Sequence, residues 1–82
     1  MDIEIKDTIT LSDKRKYLVV SKVQHQNNTY YYLVDEQENE NVKFCLEKAG
    51  ANTLLEINDA NLIQNLLPLF SSKTKQHLEE NN

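Results

Sequence analysis

Two neighbouring segments, Tyr17-Leu-Val-Val-Ser-Lys-Val23 and Thr29-Tyr-Tyr-Tyr-Leu-Val34, are apolar at odd and at even positions. Their β-branched and aromatic residues mark both as strands. Side chains alternate between faces along a strand, so a sheet built on this pair is hydrophobic on two sides. The rest of the chain supplies about one helix as cover. An apolar face without cover is a surface for a partner.

Asn27-Asn28 separates the two strands. Asn tolerates positive φ, which a two-residue type I′ turn requires at both central positions. A turn at these two residues sets Gln26 opposite Thr29, His25 opposite Tyr30, Val23 opposite Tyr32 and Ser21 opposite Val34. One face then carries Tyr17, Val19, Val23, Tyr30, Tyr32 and Val34, and its richness assigns it to the core. The other carries Leu18, Val20, Tyr31 and Leu33 beside Lys22 and Gln24. These four apolar residues form the predicted protein-interaction patch.

Ile3, Ile5, Ile9 and Leu11 alternate with polar residues, the pattern of a half-buried strand interrupted near Asp7. Residues 12–16 make a polar turn, and Asp35-Glu-Gln-Glu-Asn-Glu-Asn41 an acidic loop. Val42 to Leu46 alternates again, although its register, and so the face it joins, stays open. A loop around Gly50 leads to a short strand over residues 53–57, and Asn58 or Asp59 caps a helix. Leu62, Ile63, Leu66, Leu67 and Phe70 form its apolar stripe, with Leu78 in phase, and Pro68 lies inside it. The expected fold is α+β: an antiparallel meander of four or five strands with a C-terminal helix, kinked or split at Pro68, on one face. Residues 1–78 form one domain and 79–82 a frayed tail. The expected core is Tyr17, Val19, Tyr32, Val34, Phe44, Leu46, Ile57, Leu62, Ile63, Leu66 and Phe70.

Composition excludes more functions than it suggests. The chain has 82 residues and one cysteine, which rules out a disulfide scaffold within it and a cysteine-built zinc site. It shows neither a signal peptide nor an apolar run of the ~20 residues that span a bilayer, so a cytoplasmic setting is expected. A net charge of −4 disfavours nucleic acid, despite Lys14-Arg15-Lys16 and Lys22 near the tyrosines. Cys45 is mid-strand, His25 at a hairpin tip and His77 near the end, so no nucleophile–base pair is expected. One glycine cannot build a phosphate loop. The acidic loop lacks the central glycine and distal ligand of a calcium loop, so no metal or cofactor is expected. What remains is a non-enzymatic interaction module, binding a protein partner or a second copy of itself through Leu18, Val20, Tyr31 and Leu33. The second reading is a small acidic regulator or inhibitor, as mobile elements encode, docking on a basic target through Asp35, Glu36, Glu38 and Glu40.

Thr8-Ile-Thr-Leu-Ser-Asp13, Tyr31-Tyr-Leu-Val-Asp35, Val42-Lys-Phe44 and Leu55-Glu-Ile-Asn-Asp59 before an apolar helix occur in this order. In that plan the chain resembles the YrzB-like small bacterial proteins, a family of unknown function. The resemblance implies a small intracellular fold without known catalytic residues.

Overall fold

A computed structural model describes residues 3–47 and 53–80, with side chains through Ser72. The loop around Gly50, the side chains of His77 and Leu78 and residues 81–82 lie outside the described residues. The element order is β1 (Thr8–Thr10), β2 (Lys16–His25), β3 (Asn28–Asp35), β4 (Val42–Glu47), β5 (Leu54–Glu56) and α1 (Ala60–Glu80). The strands pair antiparallel in sequence order, so the sheet is a five-stranded meander, and α1 packs on it. This is the α+β architecture expected from the sequence. The helix runs through Glu80, two residues beyond the expected end of the domain.

Tight turns without glycine precede β1 and connect the first three strands. The Asp7 amide donates to the Glu4 carbonyl at 3.0 Å, and the Glu4 amide donates to Asp7 Oδ2 at 2.8 Å. Lys6, inside that turn, has φ 81°. This is the expected interruption near Asp7, and it cuts β1 to three residues. At the polar turn, Leu11 N–H donates to the Arg15 carbonyl at 3.2 Å, and Lys14 takes φ 66°.

The β2–β3 turn sits one residue earlier than Asn27-Asn28. Gln26 and Asn27 are its central pair, at φ 51° and 68°, and His25 pairs with Asn28. The turn is therefore of the expected primed kind, but Val23 lies opposite Tyr30, Lys22 opposite Tyr31 and Ser21 opposite Tyr32. The register then shifts between Val19 and Ser21, because Val20 is an extra residue in β2. Beyond it Val19 pairs with Leu33, Leu18 with Val34 and Tyr17 with Asp35. A one-residue bulge changes which face the odd residues of β2 join. Tyr17 and Val19 share a face with Tyr31 and Leu33, whereas Ser21 and Val23 share the opposite face with Tyr30 and Tyr32. The expected grouping of Tyr17, Val19, Tyr30 and Tyr32 on one face is corrected accordingly.

Both faces consequently carry a core. On one, Tyr17, Val19, Tyr31, Leu33 and Cys45 are buried, with Ile3, Ile9, Leu11 and Leu54 packed against them. On the other, Tyr30, Ile57, Leu66 and Phe70 are buried among Val23, Tyr32, Phe44, Leu46, Leu62 and Ile63. Val42, Phe44 and Leu46 pair with Val34, Tyr32 and Tyr30, which settles the open β4 register in favour of the helix side. Tyr32, Phe44 and Phe70 form an aromatic trio with ring centroids 5.0–5.9 Å apart. Val34, expected in the core, is half-buried and belongs to neither cluster.

Asp59 starts α1: its Oδ1 accepts from the amides of Asn61 at 3.0 Å and Leu62 at 3.3 Å. The helix is one element through Pro68 and is not split. Pro68 and Gln64 are both exposed, so the carbonyl that loses its helical donor lies on the solvent side. The buried stripe is narrower than the spacing suggested, since Leu67 is 42% exposed. Ser21 Oγ donates to the Phe70 carbonyl at 3.1 Å, and its small side chain lets α1 approach β2 closely.

Gln26→Gly is expected to stabilise the protein by about 0.5–1 kcal/mol in urea unfolding, because it relieves a side chain held at positive φ. Asn28→Gly is expected to destabilise it, because Asn28 is a strand residue. The reverse order would place the turn at Asn27-Asn28.

Candidate functional site

The sheet face opposite α1 is closed by the chain's own N-terminal segment. Lys22 Nζ donates to the Ile3 carbonyl at 2.9 Å and to Glu4 Oε1 at 3.1 Å, and stands 5.9 Å from the centre of the Tyr31 ring. The Tyr31 hydroxyl donates to Glu47 Oε1 at 3.0 Å, and desolvation followed by this bond pushes its pKa above the usual phenol range. Tyr31 and Leu33 are both 0% exposed. Neither is a surface residue, and the predicted patch of Leu18, Val20, Tyr31 and Leu33 does not exist as one surface. Tyr31 and Leu33 are buried because Ile3, Ile9, Leu11 and Leu54 cover their face, and the bulge at Val20 puts Leu18 on the other face.

Leu18 is 39% exposed and Val20 half-buried. Pairing places Leu18 beside Val34, and Val34 beside Val42, in one row across β2, β3 and β4. This row lies on the helix side of the sheet, yet none of its members joins either core cluster. Sequence reasoning found Leu18 and Val20 but missed Val34 and Val42. The observed turn position supplies Val34, since the Leu18–Val34 pairing follows from it once the bulge is allowed, and the β3–β4 register supplies Val42.

The acidic loop is anchored at its first residue. Asp35 is 1% exposed; its Oδ2 accepts from Arg15 Nη1 at 2.6 Å and from Asn41 Nδ2 at 3.0 Å. Its Oδ1 accepts from the amides of Gln37 at 2.8 Å and Glu38 at 3.4 Å. Asn41 Nδ2 also approaches the Tyr17 hydroxyl at 3.3 Å, which donates to Asp13 Oδ2 at 2.5 Å. The network ties the β1–β2 turn to the β3–β4 loop. The loop amides, led by that of Gln37, together with Arg15 and Asn41, hold the Asp35 carboxyl well below the usual carboxylate range. Asp35 is therefore internal and paired, which corrects its place among the docking carboxylates. Glu36, Glu38 and Glu40 are exposed.

Clefts flank the sheet among the described residues. One, of about 400 Å³, is bordered by Asp13, Lys43, Cys45, Leu54 and Glu56. Cys45 is 2% exposed, and burial, then Glu56, pushes its thiol up to about 11, so the thiolate is scarce near neutrality. His25 instead neighbours Tyr30, whose ring belongs to the opposite face. Among the described residues no cluster of three or more His, Cys, Asp or Glu could hold a metal. The second cleft, of about 520 Å³, is lined by Glu4, Ile5, Lys22, Val23, Gln24, Leu69 and Ser72. Its β2 residues belong to a stretch beyond the reach of β1, whose pairing ends at Leu18.

No protein family, curated protein or solved structure matches this chain. No described helix is long and apolar enough to cross a membrane.

The Asp35 network gives stability a defined pH dependence. In the unfolded chain Asp35 takes up its proton near pH ~4, whereas in the folded protein it does so only at lower pH. The stabilisation is full above the unfolded pKa and is lost as pH falls through the folded one. Urea midpoints measured from pH 7 to pH 2 are expected to fall below pH ~4. Asp35→Asn is expected to flatten that fall and to lower the midpoint at pH 7. An unchanged profile in the variant would contradict the assignment.

Proposed function

We propose that this chain is a small non-enzymatic, cytoplasmic protein-interaction module of bacterial type. It docks on a protein partner, or on a second copy of itself, through Leu18 and Val20 together with Val34 and Val42. The observation that carries the reading is the Leu18–Val34–Val42 row, which crosses three strands outside both cores. Strands lie about 4.8 Å apart, so the row spans roughly 10 Å. A stable interface buries about 800 Å² per partner, so the row supplies its apolar centre and surrounding polar residues the rim. The acidic-loop reading is weaker with Asp35 buried, because only Glu36, Glu38 and Glu40 remain to meet a basic target.

Leu18→Asp removes the most exposed member of the row while leaving both cores intact. Its circular dichroism spectrum is expected to match that of the parent chain. Its association, read by light scattering after size exclusion for self-pairing and by quantitative co-purification for a heterologous partner, is expected to weaken about tenfold or more. A parent chain that stays monomeric and retains no protein lost by Leu18→Asp would refute the proposal.

A further inference from the structure

We infer that the outer edge of β2 between Lys22 and Gln24 is a strand-addition site for an extended, uncharged segment of a partner protein. The inference uses different residues and different chemistry from the Leu18 row and stands independently of it.

The backbone geometry comes from the hairpin. His25 and Asn28 flank a two-residue turn and form its closing hydrogen-bonded pair. Along an antiparallel ladder such pairs alternate with pairs whose main-chain groups point away from each other. Val23 and Ser21 therefore bond to β3, while the N–H and C=O groups of Lys22 and Gln24 point outward. Among the described residues no backbone group bonds to them, because β1 pairing ends at Leu18 and the Lys6–Asp7 turn reaches only Val19. An incoming antiparallel strand would make about four backbone hydrogen bonds there.

The surroundings select the occupant. The edge lies in the cleft of about 520 Å³, with Glu4 and Ile5 beside it from the N-terminal segment and Leu69 and Ser72 from α1. The Lys22 ammonium is already engaged by the Ile3 carbonyl and the Glu4 carboxylate, and Val23, Gln24, Ile5, Leu69 and Ser72 carry no charge. The cleft is thus electrically balanced, and a charged residue entering it would lose water without gaining a partner. The residue opposite Val23 would face the helix side near Leu69, which is 38% exposed, so an apolar side chain fits that position.

A second copy pairing at this edge would bring its own α1 with it, held over β2 by the same 3.1 Å Ser21–Phe70 hydrogen bond, whereas a lone strand brings no helix.

The probe is the uncharged peptide acetyl-Ser-Thr-Val-Thr-Ser-amide, titrated to millimolar concentration into the ¹⁵N-labelled full chain. Saturable shifts and slowed hydrogen exchange are expected at the Lys22 and Gln24 amides. N-methylation of both peptide threonines is expected to weaken binding about tenfold or more, since it removes backbone donors. Gln24→Pro is expected to do the same while leaving the rest of the spectrum in place, because its missing N–H is one that β3 does not use. Leu18→Asp should leave peptide binding unchanged, which separates this site from the row. Three outcomes would each overturn the inference: no response at either amide, equal binding of the N-methylated peptide, or concentration-dependent dimerisation that itself protects the two amides.

Discussion

One extra residue, Val20, determines how this sheet is covered. A regular ten-residue strand sends its odd side chains to one face throughout. β2 does not: Tyr17 and Val19 enter the core beneath the N-terminal segment, and Ser21 and Val23 enter the core beneath α1. The shift at Val20 lets one strand contribute to two cores. It also brings Ser21, the smallest side chain in the strand, to the place where α1 comes nearest. Tyr31 and Leu33 share the face that Tyr17 and Val19 enter, and Ile3, Ile9, Leu11 and Leu54 bury all four. Full burial of a side chain such as Leu33 contributes about 1.5–3 kcal/mol, and a domain this small depends on recovering that from both faces.

The second face has no helix above it among the described residues. Its cover is a short segment secured by polar contacts at both ends. Lys22 fastens Ile3 and Glu4 over Tyr31, and the Asp35 network fixes the turn that follows Leu11. Ile3, Ile9 and Leu11 are then packed on the buried cluster between these anchors. The same arrangement shapes the outside of the molecule. The turn at Glu4–Asp7 stops β1, so the edge of β2 beyond Val19 is unpaired by any described strand. On the helix side, α1 crosses the hairpin half of the sheet, and the Leu18–Val34–Val42 row lies outside the cluster beneath it. Both candidate contact regions are consequences of where cover ends.

Much of the fold was legible in the residues. Strand order, the polar turn at 12–16, the interruption near Asp7, the Asp59 cap and the two-sided apolar character of β2 and β3 all follow from local chemistry that tertiary contacts do not override. The side-chain assignment was not legible, and the reason is specific. Asn27-Asn28 satisfies a primed turn better than Gln26-Asn27 by intrinsic preference, but the preference is worth less than the burial it would displace. The observed register puts Tyr30 and Tyr32 under the helix and Tyr31 against Glu47, and then needs a bulge that no residue type announces. In the sequence Asp35 belongs to a solvated charge run, because its partner, Arg15, is twenty positions away and comes near only through the hairpin. Val34 is assigned to the core because the later turn sets it opposite Ser21, and Val42 carries no face assignment because the register of β4 is open in the sequence. Pro68 looked like a breaker but sits on the solvent side of α1, where a lost backbone bond is readily hydrated.

The most direct measurement is the set of cross-strand Hα–Hα nuclear Overhauser contacts in the β2–β3 hairpin, which arise at the pairs whose main-chain groups point outward. The account requires contacts between Lys22 and Tyr31 and between Gln24 and Thr29. Contacts between Val23 and Tyr32 and between His25 and Tyr30 would place the turn at Asn27-Asn28. They would remove the bulge, the two-core arrangement and the open edge at Lys22 and Gln24 together.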